Sequence, residues 1–139
     1  MRGVPFLKIV LIAGIWAISA LFPLAEQPLS ELLVPALLVF FATAAQVIPF
    51  DIRDIAYDTA SMRTIPQVFG VNGARIVATA LIFGACWAIV QLTGTPCYLF
   101  FYFVSALISC WLPVRQKDLL WLEFLWELPL LMVGMAVIF

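Results

Sequence analysis

LSELLVPALLVFFATAAQVIPFDIRDIAYD, residues 29–58, joins the two features from which the rest of the chain is read. Residues 29–48 form an apolar run of the length that crosses about 30 Å of hydrocarbon at about 1.5 Å per residue. Glu31 is its only charge, and Pro35 predicts a kink near its start. Directly after it come Asp51, Arg53, Asp54 and Asp58. An apolar span that gives way to a dense ionic stretch is a helix leaving a membrane.

The same pattern recurs outward in both directions. Apolar spans are predicted over residues 5–24, 29–48, 74–92, 97–112 and 118–138, with Pro129 inside the last. The expected fold class is therefore all-α: a polytopic transmembrane helix bundle of about five spans, forming a single transmembrane domain over residues 1–139. Composition agrees. The 139 residues are 65% hydrophobic and 11% charged, with no histidine. Soluble domains average about 45–50% apolar and about 25% charged. The polar–apolar alternation of a barrel strand is absent, which leaves the helix as the spanning state. The first apolar run lacks a small-residue cleavage site, so it is read as a span and not as a removable leader. A net charge of −1 supports no nucleic-acid partner.

The cations give an orientation. Arg2 and Lys8 flank the first span; Arg53, Arg63 and Arg75 follow the second; Arg115 and Lys117 follow the fourth. With five alternating passes all of them lie on one side. The other side holds Glu26, Glu31, the turn Thr93-Gly94-Thr95-Pro96 and the C-terminus, with no Lys or Arg. The positive-inside rule places the N-terminus and the 49–73 acidic loop in the cytoplasm, in an inner membrane, with the C-terminus opposite. Short turns predict antiparallel hairpins from spans one and two and from spans three and four. Small residues in the third span (Ala74, Ala78, Ala80, Gly84, Ala85, Ala88) predict close helix packing.

Asp51, Asp54 and Asp58 stand at offsets 0, 3 and 7. On a helix that turns about 100° per residue they lie within about 60° of one another, while Arg53 leaves on roughly the opposite side. Carboxylates gathered on one face repel unless neutralised, and hard divalent cations neutralise them. An oxygen-only set without histidine suits Mg2+, which takes one or two carboxylates together with phosphate oxygens. The plainer reading is a solvated acidic helix end. Thr64 and Pro66 predict the start of a short helix, Gly70 its end, and Asn72 a cap for the third span.

Arg53-Asp54-x-x-x-Asp58, then Arg63-Thr64-Ile65 and Gly70, resembles the second aspartate-rich motif of the UbiA superfamily of intramembrane prenyltransferases. That superfamily has nine helices, and five spans with this motif after the second resemble its helices five to nine. The superfamily's first motif, Asn-Asp-x-x-Asp-x-x-x-Asp, has no counterpart, since no aspartate precedes Asp51. The chain thus resembles the C-terminal half of such an enzyme, with a missing N-terminal half or a complementing chain as partner. The resemblance implies Mg2+-dependent transfer of a polyprenyl group from polyprenyl diphosphate to an aromatic or lipophilic acceptor. It implies Asp54 and Asp58 as catalytic metal ligands, with Asp51 supporting. Arg53 and Arg63 are the implied diphosphate contacts, Arg63 the better placed, and Tyr57 a cavity residue. The alternative is a non-catalytic membrane protein, a small carrier or an assembly subunit, that keeps the acidic loop for structure.

Other residues carry less. Cys86, Cys97 and Cys110 lack paired spacing and read as small apolar filler. Glu123 and Glu127 share a face of the fifth span and are candidates because acids inside a span are costly. Gln46 and Gln91 read as span-end residues. The five tryptophans and twelve phenylalanines read first as lipid-facing or interfacial.

Overall fold

A computed structural model describes residues 6–55, 63–93 and 96–111. Among them are four helices and no strand: α1 (Leu7–Leu21), α2 (Leu29–Asp54), α3 (Ile65–Thr93) and α4 (Pro96–Trp111). Leu7–Leu24, Leu29–Asp54 and Ile65–Leu92 are long and apolar enough to cross a membrane. α4 is apolar but shorter, at 16 residues. The fifth predicted span lies outside the described residues.

Local chemistry sets the boundaries. α1 stops ahead of Pro23 and passes into a 3₁₀ turn, Phe22–Leu24. Ala25 N–H donates to the Phe22 carbonyl at 3.2 Å, and Gln27 N–H to the Leu24 carbonyl at 2.9 Å. Pro28 then caps α2 in an extended conformation. Glu31 in the first turn of α2 and Arg53 in the last each complement the helix dipole.

Two segments differ from the sequence expectation. The span predicted to end at Ile48 runs on as helix to Asp54, through both Pro35 and Pro49. Pro49 removes one helical hydrogen bond, but Ala45, Ile48 and Asp51 around it are buried, and packing holds the turn that the proline weakens. At 26 residues, α2 is about 39 Å long and overshoots a 30 Å hydrocarbon layer, carrying its ionic end beyond it. The second difference is that helix resumes at Ile65, so much of the predicted 49–73 loop is helical.

α3 is broken at Gly70, whose φ of 72° and ψ of 170° belong to a region that glycine alone adopts readily. The predicted short helix, 65–69, is therefore present and ends at Gly70. The break folds Phe69 back over Gly73, where an added Cβ would sit 2.7 Å from Phe69 Cβ.

α2 is the central helix, packed most extensively on α3 and then on α1, with a smaller contact to α4. Its interface with α3 is built on small residues. Ala42 and Ala45 of α2 and Ala74, Ala78, Ala85 and Ala88 of α3 are buried, and Gly84 lies under the Phe41 ring. α4 runs antiparallel to α3: Trp111 meets Thr79, and Phe103 packs on Phe83 with ring centroids 5.4 Å apart. Ile15, Trp16, Ile18, Leu33, Ile76 and Trp87 point outward, as lipid-facing residues do.

Candidate functional site

The ionic residues of three helices collect at one end of the bundle. Lys8 near the start of α1 contacts Asp51 near the end of α2. Phe6, just ahead of α1, stacks on Phe69 at the start of α3, with centroids 5.9 Å apart. Lys8, Asp51, Arg53, Asp54, Arg63 and Arg75 therefore share an end, and Glu26 and Glu31 lie at the other. This is the charge separation expected from the sequence; Arg115 and Lys117 lie outside the described residues.

Asp51 is 1% exposed and accepts a hydrogen bond from Lys8 Nζ through Oδ1. Lys8 is 49% exposed. Its ammonium reaches in from the rim while its stem lies along the helices. Sequence reading treated Lys8 only as a marker of orientation. The available signal was a lysine inside the first turn of a span, a costly position that calls for a counter-charge.

Asp54, on the last residue of α2, is held by its neighbour. Arg53 Nε donates to Oδ1 at 2.7 Å and Nη2 to Oδ2 at 3.3 Å. The expected divergence of Arg53 from the carboxylate face describes its Cα. The long side chain curls back, and its guanidinium also lies 5.2 Å from the centre of the Phe50 ring. Both members of the pair are partly exposed, which makes it an exchangeable contact of small net worth.

Asp58 and Tyr57 lie outside the described residues. Arg63 is exposed, with a left-handed φ of 46°. Thr64 is buried, and its backbone N–H donates to Gln67 Oε1 at 3.1 Å, the reciprocal half of a capping box. Its hydroxyl, the expected cap, has no hydrogen-bond partner. Gln46, read as a span-end residue, is buried in α2 with its carboxamide oxygen also unpartnered.

Among the described residues no three acidic or thiol side chains form a metal-holding group. Asp54 is a hard, partly exposed carboxylate of the kind Mg2+ takes, and both of its oxygens are engaged by Arg53. Asp51 is enclosed and engaged by Lys8, so it would reach a metal only if Lys8 withdrew.

No family model, curated protein or solved structure matches the chain.

Proposed function

We propose that this chain supplies one half of the site of a membrane-embedded, Mg2+-dependent transferase that moves a polyprenyl group from its diphosphate to an aromatic or lipophilic acceptor. The observation that carries this reading is the gathering of the Lys8–Asp51 and Arg53–Asp54 pairs at one end of an apolar bundle. A polyprenyl diphosphate has the same division, a polyanionic head on a hydrocarbon tail. The charged end faces the cytoplasm by the positive-inside rule.

Asp54 would hold the metal, with Asp58 by its place in the motif. Bound there, Mg2+ would neutralise the diphosphate and favour its departure. Arg53 and Arg63 serve the same head group. Arg53 already engages a carboxylate, and guanidinium forks bind phosphate oxygens as readily. The apolar helices keep water from the isoprenoid.

A second reading has an observation in its favour. Both described carboxylates at the ionic end are already neutralised by cations, Asp51 by Lys8 and Asp54 by Arg53. A non-catalytic carrier or assembly subunit with a structural ionic end would need no more. Electron paramagnetic resonance of Mn2+, with the chain in nanodiscs, separates the two. The transferase reading expects Mn2+ bound in the presence of a polyprenyl diphosphate and lost in Asp54→Ala. Free Mn2+ throughout would leave the carrier or subunit.

A further inference from the structure

Arg75 differs from the other described cations: unlike Lys8 and Arg53 it meets no described carboxylate, and unlike Arg63 it is partly buried. It lies just beyond the Gly70 break in α3, at the ionic end of the bundle, and is only partly exposed. Lys8 and Arg53 have carboxylate partners; no described carboxylate pairs with Arg75. Its Nε is buried and meets no acceptor among the described residues. A guanidinium cannot shed its proton to escape this situation.

Its surroundings are held in place. The guanidinium lies 5.6 Å from the centre of the Trp111 ring, within reach of a cation–π contact. Trp111 is fixed in turn, because its indole N–H donates to the Thr79 hydroxyl at 3.2 Å. That hydroxyl donates to the Arg75 carbonyl at 2.8 Å. The loop of contacts runs from Arg75 through Trp111 and Thr79 back to Arg75. It orients the cation and brings no described carboxylate to it.

We propose that Arg75 and Trp111 form a phosphate-binding subsite at the ionic end of the bundle. Phosphate oxygens suit it, because the planar fork of arginine matches them and the indole covers the opposite side. Five residues beyond Gly70, Arg75 sits about 7 Å along the helix, a depth a head group reaches. The phosphate has two possible sources: the diphosphate of an isoprenoid ligand, which rests on the function proposed above, or the head group of an anionic phospholipid, which does not.

The test uses the full chain in nanodiscs without divalent metal. One arm titrates inorganic pyrophosphate calorimetrically. The other measures, by native mass spectrometry, retention of phosphatidylglycerol against phosphatidylcholine. Wild type should bind at least one anionic probe, and Arg75→Gln should weaken it about ten- to a hundredfold, as for loss of a charged hydrogen-bond partner. Trp111→Phe keeps the charge and should cost about two- to fivefold. If Arg75→Gln does not fold, phenylglyoxal labelling of wild type replaces it: pyrophosphate or phosphatidylglycerol should slow modification of Arg75. Equal affinity in folded Arg75→Gln, labelling unaffected by either probe, or binding of neither probe overturns the subsite. Because metal is absent, a subsite that binds phosphate stands even where the Mn2+ experiment fails.

Discussion

Removing the ammonium of Lys8 should damage this protein more than removing the carboxylate it pairs with. Asp51 is 1% exposed and Lys8 49%. Lys8→Met takes the ammonium from a carboxylate buried where α1 meets α2, and breaking a buried pair in this way costs about 3–5 kcal/mol. Asp51→Asn leaves a lysine that is already half in solvent, so the loss is nearer to one hydrogen bond to a charged group, about 1.5–3 kcal/mol. The double variant Lys8→Met/Asp51→Asn strands no charge and should recover part of the loss. Reversible unfolding in mixed dodecyl maltoside and SDS micelles, followed by tryptophan fluorescence, measures all three. Asp51→Asn proving as costly as Lys8→Met, or more so, would refute the reasoning, as would a double variant worse than Lys8→Met alone.

Gly70→Ala should destabilise by about 1–3 kcal/mol in the same assay, from backbone strain alone, since an added Cβ there meets open space. Gly84→Leu should cost about 1–3 kcal/mol by forcing α3 from α2, because a Cβ at Gly84 already lies 3.2 Å from the Phe41 ring. Arg53→Ala should change stability by less than about 1 kcal/mol, because its pair with Asp54 is partly exposed.

The helical class and three of the predicted spans were legible because apolar length is a direct physical demand of the bilayer. The break at Gly70 was legible too: Thr64, Pro66 in the first turn and Gly70 six residues after the threonine are local signals, and the structure shows the short helix they mark. The end of the second span differed: it was set at Ile48, where the apolar run gives way to charge, but burial around Ala45 and Asp51 carries the helix past Pro49 to Asp54. Tertiary packing decided that boundary, and periodicity does not contain it. The site divides in the same way. Gathering the cations at one end needed only charge counting. The pairing of Asp51 with Lys8 joins residues 43 positions apart, and no spacing rule links them. Arg53 shows a further limit, since helical angles place a Cα and not the tip of a long side chain.

We propose above that the ionic end holds a polyprenyl diphosphate through a divalent cation. Equilibrium binding of a radiolabelled polyprenyl diphosphate to the chain in nanodiscs, with Mg2+ and then with excess EDTA, tests it most directly. Saturable binding is predicted that excess EDTA and Asp54→Asn each weaken at least about tenfold, the worth of a charged contact. Binding that ignores both EDTA and the substitution, or no saturable binding under any of these conditions, would contradict it.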